Sequence, residues 1–215
     1  MCVMAALRRG RPSRPVLSVA GIHAAALELV DEQGAAALTM GRLAERLGVQ
    51  AASLYHHVVD KASVWEGIRR LVVAEMDWSA FADRPWDLAL GVWARSYRAA
   101  FIRHVNTMPV LYTAPVAEPL TYQMYQVVCV GLAEGGWPET SLAEVLSAVE
   151  YLIAGSVLDH EALGEMFGRA AEMGAPLLAA SIRSRSQVAV ADRAFDLALD
   201  GLLIGLRAEL ARLQP

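Results

Sequence analysis

The sequence predicts an all-α protein, and three observations carry that reading. Apolar residues recur every three to four positions along nearly the whole chain. No sustained run alternates β-branched and polar residues as a half-buried strand would, and no hairpin turn sits between two strand-like runs. Helix-capping residues recur at intervals that suit helices of ordinary length.

Each element has its own signals. Ser18 is placed to cap a first helix whose inward stripe is Val19, Ile22, Ala26, Leu29 and Val30, ending at Gly34. Thr39 caps a short second helix carrying Leu43, Ala44 and Leu47, stopped by Gly48. A third short helix runs from about Gln50 to His57, and Asp60 caps a fourth with Val64, Ile68, Leu71 and Val72 inward. Pro85, with Asp83 before it, opens a helix to about Val105. Pro109, Pro115 and Pro119 break the stretch that follows. The next helix runs from Pro119 to Glu134 and ends at Gly135-Gly136-Trp137-Pro138. Ser141 with Glu144 has the form of a capping box and opens a helix to about Ala162. A shorter helix near 164–173, a loop over 176–188 and a last helix over 189–213 complete the chain. The implied organisation is a basic arm (1–17), a helix-turn-helix unit (18–62), a connecting helix (63–79) and a larger helical domain (80–215) for effector binding and dimerisation.

Composition narrows the function. Among 215 residues, 55% are hydrophobic and 20% charged, enough for a sizeable core. Cys2 and Cys129 make no disulfide framework, and no Cys/His cluster suits zinc. The basic start followed by apolar residues has the outline of a signal peptide, but Glu28, Asp31 and Glu32 come too soon. The longest apolar candidate, 16–30, falls short of the roughly 20 residues a membrane span needs, so no membrane partner and a cytoplasmic location are expected. The net charge of −4 argues against nucleic acid only until it is divided. Residues 1–61 carry seven basic and five acidic side chains, a net of +2, which leaves −6 for the rest. Lys61 is the only lysine in the chain.

The strongest local signal is Met40 to Val58, two short helices joined at Gly48-Val49. Ala44 is small where the second helix crosses, Gly48 permits a left-handed turn, and Val49 and Leu54 fill the space between. This is the spacing of a helix-turn-helix that lays its second helix in the major groove. Leu54-Tyr55-His56-His57-Val58-Val59-Asp60-Lys61, with Thr39-Met40, Leu43-Ala44 and Leu47-Gly48-Val49 before it, resembles the signature of the tetracycline-repressor-like (TetR) family of regulators.

That resemblance implies roles residue by residue. Tyr55 and His57 match the side chains that meet phosphates or base edges, and Lys61 the lysine that meets a phosphate. Thr39 matches a cap that also donates to phosphate. Gln50, Ala51, Ser53 and His56 lie on the exposed side of the recognition helix. Gly41 stands where several relatives place a guanine-reading arginine, and Ala51 and Ala52 offer only apolar contact of the kind a thymine methyl accepts. These departures leave open a second reading, a helical interaction module without specific DNA binding. Ahead of the unit, Arg9-Gly10-Arg11-Pro12 resembles the core of AT-hook peptides, which would set Arg9 and Arg11 in an A·T minor groove.

Residues 86–159 resemble the regulatory domain of the tetracycline-repressor class within that family, through Trp86, Ser96-Tyr97-Arg98, Thr113, Pro115, Ser147-Ala148-Val149 and Gly155 to Leu158. That class holds its drug as a magnesium chelate with two histidines. Here those positions fall at about Asp77 and near Val110 or Leu111, while Asp159 matches the remaining acidic position, so neither a metal nor another cofactor is expected.

Trp93, Tyr97, Phe101 and His104 lie along one helix face. With Met108, Tyr112, Tyr122, Tyr125 and Tyr151, they are expected to line an aromatic pocket for a hydrophobic or planar effector. A homodimer is expected through Val145, Val149, Leu152 and Ser156 on one helix and Leu202 and Leu206 on another. No nucleophile elbow, phosphate loop or zinc-protease motif is present, so an enzyme is not expected.

Overall fold

The structure, a computed structural model, describes residues 17–160, 166–183 and 186–214. Among them there is helix and no strand. Helix α1 (Val19–Gln33) starts where Ser18 Oγ accepts from the Gly21 amide and stops at Gly34. Helix α2 (Met40–Leu47) starts where Thr39 Oγ1 accepts from the Arg42 amide. It ends on Gly48 at φ 66°, a left-handed turn where any Cβ would be strained. Helix α3 (Ala51–Leu54) is shorter than its sequence suggests, since Tyr55 to His57 close it as a turn. Helix α4 (Lys61–Ala74) opens on a reciprocal capping box between Asp60 and Ser63.

The larger part comprises α5 (Trp86–Arg103), α6 (Met108–Leu111), α7 (Pro119–Glu134), α8 (Leu142–Leu158), α9 (Pro176–Arg183) and α10 (Gln187–Leu213). Two expectations fail here. Ser141 makes no side-chain cap, because Pro138 starts a single 3₁₀ turn (Glu139–Ser141) that runs straight into α8 and leaves Ser141 with helical backbone angles. Residues 176–183 are helix and not loop, since Pro176 occupies a first-turn position where its missing N–H costs nothing. The expected helix near 164–173 falls partly outside the described residues, and 168–174 are turns.

One apolar core runs through both halves. Ile22, Ala26 and Val30 of α1 and Leu43 and Leu54 of the helix-turn-helix meet Val64, Ile68 and Val72 of α4. The α1–α4 approach is close, and a Cβ on Gly67 would stand 2.2 Å from the His23 ring. Helix α4 then packs on α5 and α7, so it belongs to the helix-turn-helix unit and to the larger domain at once.

The expectation about apolar length also needs correcting. Residues Glu139–Leu158 form a 20-residue stretch of mean hydropathy 1.5, as long and apolar as a membrane span. Only 22% of it is buried: the Val145, Val149, Ile153 and Val157 stripe packs inward against α5 and α10, and the other sides are partly or fully exposed.

Candidate functional site

The helix-turn-helix presents a polar surface. Leu54 and Val58 point inward and are buried, which turns Tyr55, His56 and His57 outward. Thr39, Gln50 and Lys61 are exposed, and Ala51 and Ser53 are half-buried on the same unit. Both arginines of α2 are held by α1: Arg42 donates to Gln33, and Arg46 bridges Glu28 (2.9 Å) and Glu32 (2.7 Å). The expected positive charge near the recognition helix is therefore smaller than a residue count suggests, and Lys61 stands out more. Arg9 and Arg11 lie outside the described residues.

A cavity of about 160 Å³ lies between α4, α5, α7, α8 and the segment after α6. Helix α4 contributes Arg69, Val72 and Val73 to its wall, and Met76, just past the end of the helix, continues it. The aromatic part is Tyr97, Phe101, Tyr112 and Tyr125, all predicted, with Met124 beside them. Phe101 meets Tyr97 at 5.4 Å and Tyr112 edge-on at 5.3 Å between ring centroids.

Three polar wall residues were not foreseen. Glu150 of α8 accepts hydrogen bonds from Tyr97 (3.4 Å) and from Tyr125, both at Oε1. Thr121 is buried, and its Oγ1 has no described partner. Arg69 is buried and spans α4 to the segment after α6. Glu150 had a signal, being the only charge between Val145 and Leu158 in an otherwise apolar helix. Arg69 had one too, since Trp65, Val72 and Met76 share its helical stripe.

Burial pushes the Glu150 carboxyl above the usual glutamate range, against the opposing pull of the Tyr125 and Tyr97 hydroxyls. Burial also raises the Tyr112 phenol to about 12. The folded chain thus holds a proton on Glu150 more tightly than the unfolded chain does. Stability from this group is present at low pH and is lost as pH rises through the folded pKa. Glu150→Gln is accordingly expected to raise the melting temperature at pH 7 and to leave it unchanged near pH 4. An equal shift at both pH values would show that the charge is not the cause.

The other predicted effector residues are elsewhere. His104 is not on the cavity wall. It follows the last turn of α5 with non-helical angles (φ −121°, ψ 39°), so helical spacing no longer aims it. Its ring instead bridges Asp31 of α1 (2.8 Å) and Glu75 after α4 (3.1 Å). Trp93 is fully buried behind the wall, edge-on to Tyr97 and Tyr125. Met108 is core. Tyr122 is exposed and donates to the Val116 carbonyl at 2.9 Å. Tyr151 is 76% exposed on the opposite side of α8, and Asp159 caps that helix in solvent.

The residues expected at a dimer seam differ in depth within the single chain. Val145 and Val149 are core, Leu152, Leu202 and Leu206 pack against it, and Ser156 Oγ accepts from Arg98 at 2.5 Å. The face α8 and α10 leave open carries Tyr151, Leu158, Leu197 and Ile204, each more than 60% exposed, with Gly155, Gly201 and Gly205 between them. Both helices are apolar on more than one side, so periodicity alone does not say which side is inward.

One linkage joins the cavity wall to α4. Arg69 donates to Glu66 (3.1 Å), to the Leu111 carbonyl (2.9 Å) and to the Ala114 carbonyl (3.4 Å). Glu66 accepts in turn from the Ala117 amide at 2.8 Å. The segment 111–117, which forms part of the cavity wall, is thereby tied to α4.

Comparison with known proteins agrees with this arrangement. Residues 22–66 match the family described as bacterial regulatory proteins, tetR family, and residues 82–210 the tetracyclin repressor-like C-terminal domain. The chain is 32% identical over 196 residues to the class A tetracycline repressor protein from transposon 1721 of Escherichia coli, covering 85% of this chain and 87% of that one. A possible TetR family transcriptional regulator from Streptomyces coelicolor A3(2) superposes with a TM-score of 0.71 at 25% identity, over 89% of this chain and 99% of that one. The Streptomyces coelicolor TetR family protein ActR, in complex with actinorhodin, shares the fold with a TM-score of 0.67 at 23% identity, over 90% and 98% of the two chains. With the helix-turn-helix and the regulatory domain both matched, the chain belongs to the TetR family of bacterial transcriptional regulators.

Proposed function

We propose that the chain is a homodimeric repressor, released from a near-palindromic operator by a small, largely aromatic or apolar effector that enters the cavity beside α4. The observation that carries this reading is the shared wall. Helix α4 begins at exposed Lys61 in the DNA-facing unit, its later turns line the cavity through Arg69, Val72 and Val73, and Met76 just past its end continues the wall. The cavity is smaller than the roughly 300–1,000 Å³ of most ligand pockets, so a bound effector favours a state in which its walls have moved apart. A ligand with that preference shifts the population toward a position of α4 in which the two recognition helices fit the operator less well.

The open face of α8 and α10 supports the dimer. Tyr151, Gly155 and Leu158 on one helix and Leu197, Gly201 and Ile204 on the other are spaced for close helix packing against a symmetry mate. A metal chelate of the tetracycline type is not favoured. The cavity wall has no histidine among the described residues, and Asp77 Oδ1 is taken by Ser79.

Gel shift on the DNA upstream of the protein's own gene tests the proposal. The expected result is a specific complex on a near-palindrome with half-sites about one helical turn apart. Lys61→Ala is expected to weaken binding to all sequences alike and to lower the salt slope by roughly 1 per protomer. Tyr55→Ala is expected to cost about 1–3 kcal/mol on the operator. No complex even at low salt would favour the interaction-module reading, to which Gly41, Ala51 and Ala52 lend their small side chains.

A further inference from the structure

Two polar groups on the cavity wall lack partners, and a purely apolar effector would supply none. Glu150 accepts both phenol hydrogen bonds at Oε1, and Oε2 receives none from any described residue. No described Arg, Lys or His makes an ion pair with it. Arg69, the only cation among the described wall residues, is already engaged by Glu66 and by two backbone carbonyls. Thr121, one helical turn before Tyr125, also lines the cavity, and its buried Oγ1 has no described partner. Around these groups stand the rings of Tyr97, Tyr112 and Tyr125. A carboxylate inside an aromatic enclosure is suited to a cation, since ring faces attract positive charge and the carboxylate pairs with it.

We propose that the effector carries a protonated nitrogen on an aromatic or apolar frame, which pairs with Glu150 Oε2 among Tyr97, Tyr112 and Tyr125. This rests on the reading of the cavity as the effector site. It assigns Glu150 as the residue that selects for charge. Burial of the carboxyl without a cation disfavours its charged form in the empty protein, and a bound ammonium supplies the missing charge.

Three acridines of similar shape separate charge from fit: 9-aminoacridine, a cation at neutral pH, acridine, which is neutral, and acridine-9-carboxylate, an anion. Each is titrated by fluorescence against the full chain and against Glu150→Gln and Ala114→Trp, the latter placed to fill the cavity beside the segment after α6. The expected result is that the wild type prefers 9-aminoacridine over acridine by about 10- to 100-fold, the range of a charge-assisted bond out of water. The anion is expected to bind weakest. Glu150→Gln is expected to abolish the preference with acridine affinity retained, and Ala114→Trp to lose both probes. Equal or tighter binding of acridine by the wild type, or a preference that survives Glu150→Gln, overturns the charge inference and leaves the cavity reading intact. No binding of any probe, or binding indifferent to Ala114→Trp, overturns the cavity reading and the inference with it.

Discussion

Trp93→Ala is expected to lose about 3–5 kcal/mol of folding stability, the range for removing a large aromatic side chain from a packed core. Trp93 is 0% exposed and stands edge-on to Tyr97 at 5.4 Å and Tyr125 at 6.4 Å between ring centroids. Its spacing with Tyr97 and Phe101 suggests a wall residue whose removal would widen the pocket. The structure puts it one layer behind that wall, where it buttresses the two tyrosines that bond Glu150. Its indole N–H has no described partner, and that reduces the loss somewhat. A urea melt of the variant should show a lower midpoint at unchanged slope. Tyr97→Phe is the control, since it removes one hydroxyl from Glu150 and little volume. A wild-type midpoint for Trp93→Ala, with only effector response altered, would return Trp93 to the pocket wall.

The contrast between Trp93 and Tyr97 shows what the sequence makes legible. The starts of α1, α2 and α4 are readable because Ser18, Thr39 and Asp60 act on amides within three residues, a local interaction. The turn at Gly48 is readable for the same reason. Ser141 looks the same by spacing and fails, because the preceding Pro138 turn fixes its backbone in a helical form. The aromatic wall is half legible. Helical spacing groups Trp93, Tyr97 and Phe101 on one side, but depth depends on what packs across from them. His104 escapes because the helix has ended before it. The choice of dimer face is the least legible part. On α8, inward Val149 and Ile153 and outward Tyr151 and Leu158 are all apolar, and only contacts with α5 and α10 separate them. Glu150 and Arg69 were visible as charges on apolar stripes, yet their roles depend on partners far along the chain.

Arg69→Met is expected to destabilise the protein by about 3 kcal/mol, the lower end of the cost of leaving one partner of a buried ion pair behind. The lower end applies because Glu66 keeps 21% side-chain exposure and water can reach it. Methionine roughly retains the aliphatic volume, so the loss reports the guanidinium and not a void. Three contacts vanish together: Glu66 at 3.1 Å and the carbonyls of Leu111 and Ala114. Two of them lie in the segment that walls the cavity, and that segment should loosen even where α4 remains folded. Amide exchange at 112–117 is therefore expected to accelerate more than exchange in α1 or α2. Glu66→Gln alone should act on the same segment through the Ala117 amide. The double variant should fall short of the sum by about 0.5–3 kcal/mol, as residues of one network do. Unchanged exchange at 112–117 with lowered global stability would mean that Arg69 supports α4 alone. An effector's push on the segment would then have no rigid route to Lys61. Selective loosening there, with α4 intact, would identify the Arg69–Glu66 pair as the mechanical link between the cavity wall and the recognition helix.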